Sequence, residues 1–112
     1  MTSLDAGFYR RLLETSPDGV ALVDALKPDR PVIYVNPAFE NLTGYSAADL
    51  LGRNLRLQQG EDREQDGRHR LREAMRLGES CRVLLRNYRK DGTPFWVDLS
   101  AVPVPDEDAP PG

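Results

Sequence analysis

The stretch Cys81–Ala101, CRVLLRNYRKDGTPFWVDLSA, decides the fold. Two runs rich in β-branched and aromatic residues flank Asp91-Gly92, a dipeptide that favours a tight turn between paired strands. Side chains alternate between the two faces of a strand, so an uncharged face can be identified. That face holds Val83, Leu85, Asn87, Phe95, Val97, Leu99 and Ala101. The sequence therefore predicts a long β-hairpin whose inner, apolar face carries one amide.

Asn87 is that amide, and the pattern aims it into an apolar interior. Burying an amide without a partner costs about 1–3 kcal/mol, so we expect Asn87 to be hydrogen-bonded. Its partner is either a neighbouring backbone group or the polar edge of a bound planar ligand, because one amide offers both a donor and an acceptor. The sequence leaves both alternatives open.

The chain ahead of the hairpin combines short helices with two strands. Asn36-Pro37 predicts a helix start, since asparagine caps free N–H groups and proline suits the first helical position. The other predicted elements are an N-terminal helix with Leu4, Phe8 and Leu12 on one face, strands at 20–25 and 32–36, a short helix capped by Ser46, and a helix over 66–77 that ends at Gly78. We expect an α+β fold with one antiparallel sheet and the short helices packed on one face.

Composition excludes several classes of function. The chain has 112 residues and a net charge of −3, with acids and bases interleaved, which is atypical of a nucleic-acid surface. A single cysteine, Cys81, and a single histidine, His69, exclude a disulfide framework and leave little for a metal site or a catalytic triad. The sequence shows no signal peptide and no apolar run of the roughly 20 residues that a membrane span needs. We expect a cytoplasmic domain that is not an enzyme and contacts neither membrane nor nucleic acid directly.

In the segment GRNLRLQQ, residues 52–59, six of eight residues are glycine or polar, and Leu55 lies directly between Asn54 and Arg56. A single arginine is usually solvated. This interpretation is open both for Arg56 and for Arg72, which lies on the 66–77 helix. If Arg56 and Arg72 converge, however, their planar guanidiniums would grip a phosphate through charge-assisted bidentate hydrogen bonds. Spacing along the chain does not decide between these alternatives.

Together these motifs resemble a known family. The segment VIYVNPAFENLTGYSAADLLGRN, residues 32–54, resembles the first half of a PAS domain. The segments GRNLRLQQG, LREAMRLGE and LLRNYRKDGTPFWVDLS resemble the LOV branch of PAS domains, the blue-light flavin sensors. The resemblance covers residues 19–104. It implies a PAS fold that binds flavin mononucleotide (FMN) and relays a signal to an output domain of a parent signalling protein.

The resemblance also implies a set of flavin-binding residues. Asn54, Arg56 and Gln59 match positions that bind the ribityl chain and phosphate, and Arg72 matches a second phosphate arginine. Asn87 matches an asparagine that hydrogen-bonds the edge of the flavin ring. The full candidate set is Asn54, Leu55, Arg56, Gln59, Arg72, Asn87, Val97 and Leu99.

Three departures from the LOV pattern shape the expected chemistry. Leu55 stands where the family has the cysteine that forms a light-driven adduct with FMN, and Cys81 lies where the family has no reactive thiol. Val97 stands where the family has a second ring-edge asparagine. The chain also ends at Gly112, before the family's fifth strand, so we expect the final strand to be absent from this chain.

Two hypotheses follow. The first is a cysteine-less, LOV-like sensor that binds FMN non-covalently and relays a light or redox signal, with Tyr34, Tyr45 and Trp96 as candidate electron donors. The alternative is a PAS module that has lost flavin and serves as a small-ligand-binding or dimerisation domain.

The expected organisation is the same under both hypotheses. It comprises an N-terminal helical cap at 1–18, the sensor domain at 19–104 and a loose tail at 105–112. We expect a homodimer formed through the N-terminal helix and through the outer face of the hairpin, where Tyr88, Trp96 and Val102 lie.

Overall fold

The computed structural model describes residues 5–104, and it has the predicted α+β architecture. In chain order its elements are α1 Ala6–Thr15, β1 Ala21–Val23, β2 Val32–Val35, α2 Pro37–Thr43, α3 Ala47–Leu50, a 3₁₀ helix Leu55–Gln59, α4 Asp66–Leu77, β3 Cys81–Tyr88 and β4 Pro94–Ala101. Leu4 and the tail at 105–112, which was predicted to be loose, lie outside the described residues. Within residues 5–104, no helix has the length and apolar character that a membrane crossing requires.

The strands form two separate antiparallel pairs, so the prediction of one sheet was wrong. β1 pairs with β2, with Ala21 opposite Val35. β3 pairs with β4 over eight residue pairs, so the predicted hairpin is confirmed. A single sheet needs a strand that hydrogen-bonds to both pairs, and none of the strands in residues 5–104 does so. Strand propensity identified the segments correctly but carried no information about this lateral pairing.

Capping explains why the helices before the hairpin are short. The Asn36 side chain accepts a hydrogen bond from the Phe39 N–H at 3.0 Å, and α2 ends at Gly44, whose φ of 75° is left-handed. α3 begins with a reciprocal capping box, in which Ser46 and Asp49 each bond the other's backbone N–H at 3.2 and 2.9 Å. Aspartate thus fills the place that usually holds glutamate or glutamine.

Two apolar clusters build the interior. The first apolar cluster centres on the buried side chains of Val32, Val35 and Leu50, against which partly buried residues pack, among them Leu55. The second lies under α4, where Ala74 and the β3 residues Val83 and Leu85 are buried. Burial alternates along β3 and β4 in the predicted phase, which confirms the inner face of the hairpin.

The turn of the hairpin docks on the C-terminal end of α2. The Arg89 side chain donates to the Leu42 carbonyl at 3.2 Å, and the Lys90 N–H donates to the Thr43 carbonyl at 3.0 Å. The last carbonyls of a helix lack partners within the helix, so such donors stabilise its end. Because Asn87 lies two residues before Arg89, this docking fixes its position relative to the helices.

A charge pair reinforces the docking. The Lys90 ammonium donates to an Asp49 carboxylate oxygen at 2.9 Å. This hydrogen bond, helped by those from Ser46, lowers the pKa of Asp49 from 3.8 to about 2. The ionised carboxylate is therefore favoured in the folded chain.

We predict that Asp49→Asn removes part of the acid sensitivity of folding. A depressed pKa stabilises the fold above the unfolded value, and that contribution is lost as the pH falls from about 4 to about 2. Thermal unfolding at several pH values should show a smaller decrease of Tm over this range for Asp49→Asn than for wild type, and a lower Tm for the variant at neutral pH. Parallel Tm curves for the two proteins would contradict this role of Asp49.

Candidate functional site

The polar segment 52–59 contains the 3₁₀ helix Leu55–Gln59. Asn54 begins it: its side chain accepts from the Arg56 N–H at 2.8 Å and donates to the Asp29 carbonyl at 2.6 Å. Residues three apart lie above one another in a 3₁₀ helix, so Leu55 and Gln58 share a face. Leu55 packs against the first apolar cluster and Gln58 is only 4% exposed, so this face points into the protein.

Three buried side-chain amides meet where the 3₁₀ helix contacts β3. Gln59 Nε2 donates to Asn87 Oδ1 at 2.7 Å, and Asn87 Nδ2 donates to Gln58 Oε1 at 3.1 Å. We call Gln58, Gln59 and Asn87 the amide cluster. The partner of Asn87 is thus neither of the two expected alternatives but a pair of glutamines. Gln58 Nε2 is buried and has no hydrogen-bond partner within residues 5–104.

Four arginines gather beside the same 3₁₀ helix. The pKa of Arg68, on α4, is lowered first by burial and then by the positive charges of Arg72, Arg63 and Arg56. The Arg63 side chain also donates to the Gly60 carbonyl at the end of the 3₁₀ helix at 2.9 Å, and the Arg68 side chain donates to the Arg63 carbonyl at 3.3 Å. We call Arg56, Arg63, Arg68 and Arg72 the arginine cluster, because the charges of the other three act on Arg68. The sequence pattern did not single out Arg68, the member at the centre.

One carboxylate already faces this cluster. Asp29, in the loop between β1 and β2, pairs with the guanidinium of Arg56 and accepts from Asn54 through its carbonyl. Asp29 and Arg30 both have positive φ, 66° and 46°, a conformation that is uncommon for residues other than glycine. The loop therefore holds an unfavourable backbone conformation while it covers the start of the 3₁₀ helix. Sequence analysis missed Asp29 because 27 positions separate it from Arg56.

Contacts with β3 hold the segment after the 3₁₀ helix in place. The Gln65 side chain accepts from the Arg86 N–H at 2.8 Å and donates to the Arg86 carbonyl at 2.9 Å, much as a paired strand would. Asp62 accepts from the Arg86 side chain at 2.5 Å and from the Tyr88 hydroxyl at 2.9 Å, and these bonds lower the pKa of Asp62. They anchor Gln58 and Gln59 beside Asn87. Tyr88, predicted as outer-face interface material, is half-buried and engaged here.

The last two candidate residues lie on the inner face of β4. Val97 and Leu99 are half-buried and stand opposite Leu85 and Val83. Asn87 is opposite Phe95, so Val97 is its diagonal neighbour at a Cα separation of about 7–8 Å. Asn87, Val97 and Leu99 therefore share the inner face of the hairpin, on which Asn87 contacts the 3₁₀ helix.

The cysteine and the aromatic side chains considered as electron donors lie away from Asn87. Cys81 lies on the inner face but six residues from Asn87, which is about 20 Å along the strand. Trp96 is on the outer face and 65% exposed, Tyr45 packs in the first apolar cluster, and the Tyr34 hydroxyl is buried without a described partner. Of the three candidate electron donors, Trp96 is thus separated from Asn87 by the hairpin itself.

Comparison with known proteins assigns the chain to a class. Residues 17–110 match the family described as PAS domain, so the chain belongs to the PAS domain family. Within it, the chain belongs to the LOV branch. It is 41% identical to a LOV domain from the Erythrobacter litoralis blue-light activated histidine kinase. The match covers 83% of this chain and 85% of that one, and the two structures superpose with a TM-score of 0.77. The resemblance noted in the sequence is confirmed to that level.

Longer relatives contain the same domain. A blue-light photoreceptor from Listeria monocytogenes is 39% identical over 97 residues, which are 87% of this chain and 38% of that protein. An RNA-binding light-oxygen-voltage receptor is 38% identical with a TM-score of 0.88, over 93% of this chain and 29% of that one. The chain therefore spans well under half the length of either of these relatives.

Proposed function

We propose that this chain is a sensor module that holds FMN without a covalent bond and relays a light or redox signal to an output domain. One observation supports the proposal: the same 3₁₀ helix carries Arg56 of the arginine cluster and Gln58 and Gln59 of the buried amide cluster. A flavin presents a polar ring edge and a phosphate, which are the two groups that amides and arginines recognise. When bound, the flavin supplies absorption of blue light and electron transfer.

Each part of the ligand has a matching set of residues. Arg56, Arg68 and Arg72 would hold the phosphate, with Arg68 added to the two arginines found from the sequence. Asn87 and Gln59 would hold the polar edge of the ring, and the half-buried Val97 and Leu99 would lie against its apolar part. Asn54 positions Arg56 through the hydrogen bond to its N–H. Nε2 of Gln58 has no partner within residues 5–104 and is the kind of buried polar atom that a polar ligand satisfies.

The non-covalent mode follows from the chemistry of two side chains. Leu55 is a saturated hydrocarbon and offers no nucleophile. Cys81 is about 20 Å along β3 from Asn87, too far to reach a ring that Asn87 holds. We therefore propose that the chain catalyses no reaction itself, that residues 19–104 form the sensor, and that it works in the cytoplasm.

Flavin uptake by the purified protein tests the proposal directly. We expect FMN to bind and to bind more tightly than riboflavin, which has the same ring but no phosphate. Arg72→Gln should bring the two affinities closer together, because it removes one phosphate ligand. Flavin fluorescence on titration with protein measures both constants.

Arg70→Gln provides the matched control for this experiment. Arg70 lies on the same helix and is exposed, but it is not among the charges that lower the pKa of Arg68. It should leave the preference for FMN unchanged. A wild-type protein that takes up neither flavin, or that binds both equally, would contradict the proposed phosphate recognition.

Leu55→Cys tests the register of the 3₁₀ helix. A thiol at this position would supply the nucleophile that leucine lacks, so the FMN-loaded variant should lose its blue absorption band under blue light and recover it in the dark. The control is Leu57→Cys, which lies two positions away and so on a different face of the 3₁₀ helix. If loaded Leu55→Cys shows no reversible bleaching, Leu55 does not face the ring.

A second candidate function, a flavin-free dimerisation module, is favoured by a different observation. The outer face of the hairpin exposes large apolar side chains: Leu84 is 63%, Trp96 65% and Val102 68% exposed. On α1, Tyr9 and Leu12 are about half exposed. Contiguous exposed apolar surface often marks an interface between proteins. A homodimer through these surfaces is compatible with either function.

We predict that Trp96→Ser weakens self-association, because Trp96 carries the largest apolar side chain on the outer face. Sedimentation at a series of protein concentrations should show dimer for wild type and a shift toward monomer for Trp96→Ser. Leu26→Ser, which changes a residue that is 84% exposed in the loop after β1, should leave the distribution unchanged. Equal association of Trp96→Ser and wild type would rule out the outer face as the interface.

A further inference from the structure

The amide cluster contains one buried donor that has no acceptor among the described residues. Asn87 uses both ends of its amide, because Oδ1 accepts from Gln59 and Nδ2 donates to Gln58. Gln58 uses only its carbonyl oxygen, and its Nε2 is buried without a partner in the described part of the chain. A buried N–H group without a hydrogen bond is costly, so such a group needs an explanation.

We infer, on the basis of the proposed function, that Gln58 is a further flavin-binding residue whose free Nε2–H donates to a carbonyl on the ring edge. The LOV pattern has a second ring-edge asparagine where this chain has Val97. A valine offers no hydrogen bond, so that position contributes only apolar contact. Gln58 supplies an amide from the 3₁₀ helix, which contacts Asn87, instead of from β4.

The placement of Gln58 supports this role. It is 4% exposed, and its carbonyl oxygen lies 3.1 Å from Asn87 Nδ2, so its amide adjoins the residue that marks the ring edge. Val97 is the diagonal neighbour of Asn87 on β4. The free donor and the missing asparagine therefore belong to the same part of the site.

A purely structural role would require only the carbonyl oxygen of Gln58, which accepts from Asn87. The same face of the 3₁₀ helix carries Leu55, which packs against the first apolar cluster, so the interior accepts a hydrocarbon there. A structural amide in this protein looks different: buried Asn36 accepts from two backbone N–H groups and donates to two backbone carbonyls. Gln58 leaves its donor unused, which is expected of a residue that completes its hydrogen bonds with a ligand.

Gln58→Leu tests the inference with wild-type FMN affinity as the reference. We expect FMN to bind roughly 3- to 10-fold more weakly, the factor that one neutral hydrogen bond contributes. Infrared difference spectra should show a flavin carbonyl stretch at higher frequency, because the carbonyl loses a donor. The ratio of FMN to riboflavin affinity should stay at the wild-type value, since the phosphate contacts are untouched.

Val97→Asn in the Gln58→Leu background is the rescue variant. It places an amide beside Asn87 on the same surface, so it should restore affinity and return the carbonyl frequency toward the wild-type value. Gln58→Glu is a second variant that keeps the size of the side chain and the acceptor for Asn87. In this variant the protonated carboxyl group of the glutamate would replace the Nε2–H donor of Gln58. The variant should therefore bind riboflavin progressively more weakly as the pH rises and the carboxyl group loses its proton.

The outcomes separate this inference from the proposed function. Wild-type protein that takes up no flavin contradicts the proposed function and the role of Gln58 with it. Wild type that binds FMN, together with Gln58 variants that bind equally well and leave the carbonyl frequencies unchanged, contradicts only the role of Gln58. Weaker binding that Val97→Asn rescues supports it.

Discussion

A buried amide must find hydrogen-bond partners, and this constraint organises both halves of the domain. Asn36 is fully buried and satisfies it entirely with backbone. Its side chain accepts from Val20 and Phe39 and donates to Leu13 and Asp18, so one residue joins α1, the turn before β1 and the start of α2. Asn87 meets the same constraint with side chains instead, through the two glutamines of the 3₁₀ helix.

The difference between the two amides separates scaffold from site. Backbone partners are fixed by the fold, so Asn36 is locked once α2 and β1 are in place. Side-chain partners can exchange one hydrogen bond for another without moving the backbone, so the amide cluster can admit a polar ligand at low cost. The contacts nearby, Gln65 on the Arg86 backbone and the turn of the hairpin on α2, hold the backbone around the amide cluster in position.

Local signals predicted the elements well because their causes are local. Asn36, Gly44, Ser46 and Gly78 fixed the ends of three helices through caps that involve residues a few positions away. Period-two alternation likewise gave the hairpin and its inner face. The 3₁₀ helix has no such signature, since its five residues mix two leucines with polar side chains and its only sequence mark is Asn54. Because the 3₁₀ helix has no sequence signature, the sequence did not predict the orientation of Gln58.

Contacts between distant segments account for what the sequence did not reveal. Asp29 meets Arg56 and Gln58 meets Asn87 across separations of 27 and 29 positions, and Arg68 became notable only through the charges around it. The division of the strands into two separate pairs also depends on contacts between distant segments, because local sequence does not determine which strands lie side by side. The resemblance to LOV domains partly replaced this missing information, by assigning Arg56, Arg72 and Asn87 to one site before any distance was known.

Leu55 connects the first apolar cluster with the 3₁₀ helix. On the 3₁₀ helix it lies above Gln58, so the two residues face the same interior from consecutive turns. Replacing a thiol by leucine removes a nucleophile, but it adds a side chain that packs against the first apolar cluster and secures the helix that carries Gln58 and Gln59. The same short helix thus offers no nucleophile at position 55 and holds the two glutamine amides in place. Under the proposed function, the signal would depend on how tightly the domain holds flavin in each of its states rather than on a bond to it.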